Sequence, residues 1–172
     1  TPSNSSAASD VYKRQLDNLR EDICKIFKLG KNRGMLTSLD PNWDPKGWCK
    51  RRINELKKVL KVTDIFFPDY EEGKAITKLK EPKEIIKKLL DFGATIVALK
   101  CGKNGSYVNF RGKIYHVKSL SIKPRFTTGA GDAFDAGFLK KFLEKGNSLE
   151  ACKFANKIAA RYILKGFKGL MS

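Results

Sequence analysis

Thr127 to Leu139 reads Thr-Thr-Gly-Ala-Gly-Asp-Ala-Phe-Asp-Ala-Gly-Phe-Leu, and these residue types in this order suit the transfer of a phosphoryl group. Gly129 and Gly131 let backbone amides turn toward a bound anion with no side chain in the way. A helix starting there brings its positive dipole end to the same place. Asp132 is expected beside that anion hole, where a carboxylate can accept the proton of an attacking hydroxyl while the amides stabilise charge on the transferring group. The alternative is a glycine turn that merely precedes an ordinary helix, and the full string of glycines, acid and apolar helix argues against it.

Such a loop must be carried by regular elements. Leu16, Leu19, Ile23, Ile26 and Phe27 recur at three- and four-residue steps and predict an amphipathic helix that stops at Gly30. Met35 to Leu39 predicts a strand that runs into Asp-Pro-Asn-Trp-Asp-Pro, a loop forced by its prolines. Ile53, Leu56, Val59 and Leu60 mark a second helix, and Asp64 to Phe67 a strand broken at Pro68. A short helix over Glu71 to Ile76, a helix over Pro82 to Phe92 and a strand over Thr95 to Leu99 continue the alternation. Ser106 to Phe110 and Lys113 to Val117, separated by Arg111 and Gly112, predict a hairpin. Helices over Gly131 to Glu144 and Leu149 to Leu164 close the chain. Strands alternating with helices imply an α/β fold, a parallel sheet covered on both faces, in which ligands bind beyond the C-terminal ends of the strands.

The 172 residues suffice for one domain with a sizeable core. Thr1 to Gln15, rich in Ser and Ala and without periodicity, reads as a non-native or disordered tail and is set aside from fold reasoning. No run of 18 apolar residues suggests a membrane span, and no secretory segment is evident. Cys24, Cys49, Cys101 and Cys152 lack Cys-x-x-Cys spacing, so reduced, mostly buried thiols of a cytoplasmic protein are expected rather than disulfides or a zinc site. The net charge of +17 invites a nucleic-acid partner. Its spread along the chain, mostly as Lys and without aromatic-basic interleaving, argues instead for a solvated surface whose field attracts small anions.

The Thr-Thr-Gly-Ala-Gly-Asp-Ala-Phe string closely resembles the C-terminal signature of the PfkB/ribokinase family of carbohydrate kinases, usually Asp-Thr-Thr-Gly-Ala-Gly-Asp-Ala-Phe. The resemblance implies a ribokinase-like fold, ATP and Mg2+ as cofactors, Asp132 as catalytic base, and the backbone at Gly129, Ala130 and Gly131 as anion hole. Phe126 stands where the family usually has the Asp, a monovalent-cation ligand in some members. Its side chain cannot coordinate a cation, which speaks against potassium activation. Complete members run to roughly twice the usual single-domain length of about 100 to 150 residues, with the signature near the C-terminus. Residues 16–172 are therefore expected to be the C-terminal part of a kinase domain that lacks the N-terminal strands and the β-lid.

Further stretches resemble family motifs. Ser38 to Trp48 is similar to the Asp-x-Asn-x-Arg-Pro-x-x-Trp substrate loop, with Asp40 and Asn42 matching; capping of a turn is the equal alternative for both. The family's Arg is Asp44 here, expected to repel an acidic sugar and favour a neutral one. Trp43 and Trp48 are expected to anchor the loop to the core, with flanking of a sugar as the alternative. Pro68-Asp69-Tyr70-Glu71-Glu72 is similar to Pro-Asn-x-x-Glu, which implies that Glu72 and Asp69 act on Mg2+ indirectly, through water; an acidic helix N-terminus is the plainer alternative. Lys100, Gly102 and Gly105 match the strand and Gly-x-x-Gly turn along the nucleotide, and Asn156 a position near adenine or ribose, with a plain helix-surface asparagine as the equal alternative for Asn156. His116, in a hairpin strand, is not needed as a base.

The reading is thus an ATP-dependent kinase acting on a primary hydroxyl of a small sugar, the full-length form being possible as a homodimer. A catalytically silent nucleotide-binding fragment is the alternative from another class, because the family's sugar-recognising residues and lid come mainly from the N-terminal part. A basic nucleic-acid-binding protein is the third.

Overall fold

The structure, a computed structural model, describes residues 19–44, 47–122 and 128–166. The tail assigned to residues 1–15, and Phe126, lie outside them. Two compact units divide the chain, residues 1–95 and 96–172.

In the first unit the predicted alternation is present. α1 (Leu19–Asn32) is followed by β1 (Ser38–Leu39), α2 (Lys50–Leu60), β2 (Ile65–Phe66), α3 (Tyr70–Thr77) and α4 (Pro82–Asp91). β1 and β2 pair in parallel, Ser38 with Ile65 and Leu39 with Phe66. The first helix does not stop at Gly30. It runs on to Asn32 and is closed by Gly34, whose φ of 72° admits paired bonds from Gly34 N to Lys31 O and from Met35 N to Gly30 O, at 2.9 Å each. The strand expected over Met35 to Leu39 keeps only its last two residues, and Met35 and Leu36 are exposed. Between the strand starts, Asp64 accepts hydrogen bonds from Thr37 N and Thr37 Oγ1 at 2.9 Å each and pairs with Lys31. α4 begins with Pro82 at its first turn, where the missing N–H removes no helix bond. It buries Ile85, Ile86 and Leu89 on one face.

The second unit contains β3 (Ile96–Lys100), a 3-10 turn at Gly102–Asn104, β4 (Ser106–Phe110), β5 (Lys113–Val117), α5 (Ala130–Lys145) and α6 (Ser148–Lys165). Its three strands form an antiparallel meander, Leu99 opposite Tyr107 and Val108 opposite Tyr115. The parallel pairing expected of the sheet is thus seen at β1–β2, and the second unit adds antiparallel strands. α5 and α6 pack closely at Gly137, where an added Cβ would lie 3.1 Å from Ile158 and 3.3 Å from the Ala155 backbone. Phe134, Phe138, Ala151 and Ala155 are buried. At roughly 1.5–3 kcal/mol for each large apolar side chain removed from water, the two phenylalanines hold α5 firmly.

All four cysteines are free, but the expectation of mostly buried thiols holds only for Cys152; Cys49 is exposed and the other two are intermediate. Burial pushes the Cys152 thiol up to about 12, so it stays protonated beside the Ser106 hydroxyl, 3.0 Å away. Among the described residues no helix is long and apolar enough to cross a membrane.

Candidate active site

Gly129 is the N-cap of α5, with φ 87° and ψ 0°. Two features restrict the position to glycine: the left-handed backbone, and the Tyr162 hydroxyl from α6, which an added Cβ would approach to 2.6 Å. A glycine cap brings no side-chain acceptor, and no side-chain cap bond forms there among the described residues. The first helical bond runs from Ala133 N to Gly129 O at 3.0 Å, so the amides of Ala130, Gly131 and Asp132 precede the helical ladder, as the first N–H groups of any helix do. Asp132 lies in this first turn with an exposed side chain, while Ala133 and Phe134 behind it are buried. The arrangement brings together leading amide donors and the positive end of a helix 16 residues long, features that can receive an anion, with a carboxylate, able to accept a proton, beside them.

Lys100, at the end of β3, reaches the same turn. Its ammonium is 3.6 Å from where a Cβ of Gly131 would stand, and it pairs with Asp135 at 3.3 Å. The Gly102 to Gly105 turn is folded tightly on itself, with Cys101 N donating to Gly105 O at 2.8 Å. A Cβ on Gly105, whose φ is 86°, would run into the Val117 carbonyl and come 2.7 Å from Ser119 N. Gly131, Asp132 and Lys100 are therefore together, with Gly102 directly following the β3 end that carries Lys100.

Asn156 is placed on protein partners. Its amide nitrogen donates to Val117 O at 3.0 Å and its oxygen accepts from Ser106 Oγ at 3.2 Å, tying α6 to the meander. His116 stacks on Tyr107 with ring centroids 4.3 Å apart, and its Nε2 lies 2.7 Å from Asn104 O, a structural role for the chain's one histidine.

In the first unit the matched residues make local contacts. Asn42 adopts a left-handed φ of 50° and its N–H donates to Asp40 Oδ1 at 3.3 Å, a polar turn at the end of β1. Asp44 does not face solvent as a repelling charge. It is 5% exposed and lies 3.7 Å from Arg52, itself 3% exposed, and Arg52 also bonds Glu55 at 3.2 Å. The guanidinium compensates the carboxylate, so the expected repulsion of an acidic sugar does not follow from it. Trp43, expected to anchor the loop, is 56% exposed. Trp48 is more enclosed, and its buried Nε1 finds no hydrogen-bond partner among the described residues.

Asp69 and Glu72 form a capping box on α3. Asp69 Oδ1 accepts from Glu72 N at 2.7 Å, and Glu72 Oε2 from Asp69 N at 2.8 Å. Glu72 is only 4% exposed. No cluster of three or more potential metal ligands occurs among the described residues.

Sequence reasoning missed the Lys100–Asp135 and Asp44–Arg52 pairs. An acid inside the apolar run Ala-Phe-Asp-Ala-Gly-Phe was the available signal for the first; nothing local pointed to the second.

The chain is 33% identical over 158 residues to an uncharacterized sugar kinase of Archaeoglobus fulgidus, covering 89% of this chain and 62% of that protein. It is 30% identical over 151 residues to a 5-dehydro-2-deoxygluconokinase of Clostridium perfringens, covering 84% and 45%. Its backbone resembles a putative ribokinase II from E. coli solved with ATP and Mg2+, with a TM-score of 0.78 at 23% identity over 92% of this chain and 53% of that one. The chain thus spans about half the length of the proteins it matches. The fold is ribokinase-like, and the pfkB family of carbohydrate kinases matches residues 14–166. With that match over most of its length, the chain belongs to the pfkB family of carbohydrate kinases.

Proposed function

We propose that this chain carries the catalytic aspartate and the phosphate-binding turn of an ATP-dependent kinase that phosphorylates a primary hydroxyl of a small sugar. The observation that carries this reading is the N-terminus of α5, capped by a glycine with no side-chain acceptor and bearing an exposed Asp132 in its first turn. Asp132 acts as general base on the sugar hydroxyl. The amides at Gly129 to Gly131 stabilise the negative charge on the transferring phosphoryl oxygens, and Lys100 with the Gly102 to Gly105 turn receives the nucleotide phosphates. Asn156, with both polar ends bound to protein, contributes by fixing α6. Mg2+, when bound with ATP, neutralises phosphate charge, and Glu72 and Asp69 are the residues assigned to its water shell. Asp40 and Asn42 are assigned to the sugar.

Because the chain spans about half of its relatives, turnover is proposed for residues 16–172 acting as the C-terminal part of a kinase domain. The same observation favours a second reading, in which this polypeptide alone binds ATP without turning it over. Both are tested by magnesium-dependent ATP consumption, measured for the 172 residues and for the same chain preceded by an N-terminal kinase segment. The sugar panel includes neutral sugars and keto-deoxy sugar acids, since one relative is a 5-dehydro-2-deoxygluconokinase and Asp44 is charge-compensated. Asp132→Ala is expected to lower sugar-stimulated turnover by about 10²- to 10⁴-fold, the usual worth of a general base, with ATP affinity largely retained. Unchanged turnover removes Asp132 as base; ATP binding without turnover in either polypeptide leaves the silent reading standing.

A further inference from the structure

Lys100 and Asp135 are 35 residues apart in sequence and meet behind the first turn of α5. The ammonium lies 3.4 Å and 3.3 Å from the two carboxylate oxygens, nearly equidistant, so the acid straddles the cation. Both side chains are largely withdrawn from water, 14% and 13% exposed. Asp135 stands three residues after Asp132, a spacing that makes the two neighbours on the helix surface. The same ammonium lies 3.6 Å from the Cβ position of Gly131. A Cβ at residue 131 would make ordinary van der Waals contact with this cation, which places Lys100 against the first turn of α5.

We propose that Asp135 is a positioning residue that holds Lys100 against the first turn of α5, aimed at the phosphoryl group in flight; this rests on the kinase reading above. A lysine ammonium has three donors. One can stay on Asp135 while another reaches a phosphate oxygen. An untethered lysine has about 2 kcal/mol of rotamer entropy, and a tether in the resting protein removes much of that freedom before ATP arrives. The pairing also makes a nearly buried ammonium tolerable without a bound anion, since a lone charge so placed would favour its neutral form.

A merely structural pair and a positioning pair differ in kinetics. Asp135→Asn is expected to lower kcat about tenfold, within the range that small misplacements of reacting groups cause. The KM for ATP should hold or fall, because losing a carboxylate leaves more positive charge facing the phosphates. Asp135→Glu, which restores the charge, should recover part of kcat, and it serves as the test variant if the Asn form fails to fold. In a Lys100→Met background, Asp135→Asn should change kcat by less than about twofold, since its target is gone. An equal loss in both backgrounds, an unchanged kcat, or a raised KM with kcat intact overturns the proposal. Should the unaltered protein show no sugar-dependent turnover, the kinase reading falls by itself. Affinity for ATP with magnesium then decides the pair: Lys100→Met weakening ATP binding while Asp135→Asn leaves or strengthens it supports a cation aimed at phosphate, and equal weakening by both overturns it.

Discussion

α3 and α5 both begin with acidic residues in the first turn, and they treat their leading amides in opposite ways. At α3 the chain satisfies itself. Asp69 and Glu72 exchange hydrogen bonds with each other's backbone N–H at 2.7 and 2.8 Å, and Glu72 is buried. At α5 the cap is Gly129, which has no side chain to offer, and Asp132 points to solvent. One terminus contributes stability by closing its own donors; the other has a cap residue with no side chain to close them. An acidic residue at a helix start is thus ambiguous until the cap residue is known, since Asp closes the end and left-handed glycine keeps it open.

The largest expected effect that tests this contrast comes from Gly129→Ala. A left-handed φ costs a non-glycine residue roughly 1–2 kcal/mol, and crowding against the Tyr162 hydroxyl, 2.6 Å from the new Cβ, adds about 1–3 kcal/mol of overpacking. Both the melting temperature and ATP affinity should fall. Adding Tyr162→Phe removes the nearest crowding atom, so the double variant is expected to recover the second contribution and not the first. Full recovery would mean that the left-handed backbone is not what reserves the position for glycine.

A smaller effect, about 1 kcal/mol of stability, is expected from Asp69→Ala, the ordinary cost of losing an N-cap side chain. Chemical denaturation measures it. The magnesium concentration for half-maximal turnover adds a second reading from the same variant. A rise supports the proposed contact with the metal's water shell, whereas an unchanged value makes the capping box the whole role of Asp69 and blurs nothing in the comparison with α5.

Much of this was legible in the sequence because it is local. The hairpin bounds emerge as expected, since Arg111 and Gly112 both take positive φ, 47° and 74°, the two-residue turn that matches strand twist. The apolar spacing of α4 translates directly into its buried Ile85, Ile86 and Leu89. The glycine string announced the start of α5 to within one residue. What escaped is decided by competition or distance. Gly30 and Gly34 are both plausible helix stops, and only the paired bonds back from Gly34 and Met35 choose between them. The Asp69-x-x-Glu72 spacing contained a capping-box signal, but the same acids also fit a metal-associated motif. Asp44 reads as an exposed loop acid, and nothing near it in sequence reveals the buried Arg52 that neutralises it. Partners brought together by folding leave no periodic trace.

The smallest expected effect lies at Asp64, where the first unit uses a carboxylate to join the starts of two strands. Burial is the largest influence on this group and acts to raise its pKa. The Lys31 ammonium and the Thr37 N–H and hydroxyl together outweigh it, so the carboxyl is held below its ordinary 3.8. A carboxylate whose pKa is lower folded than unfolded stabilises the protein at pH above the unfolded value, and that contribution fades as pH falls through the folded value. Asp64→Asn should therefore lower stability by a few tenths to about 1 kcal/mol at neutral pH, the range of partly exposed ion pairs. The gap between the two proteins should close as pH is taken below about 4, and the Lys31 share of it should shrink at high salt. A gap constant with pH would assign the loss to packing of the Thr37 hydroxyl instead of to charge. Asp132 offers the contrast: its replacement is expected to change turnover far more than stability, because its carboxylate is exposed at a helix start that Gly129 leaves without a side-chain cap.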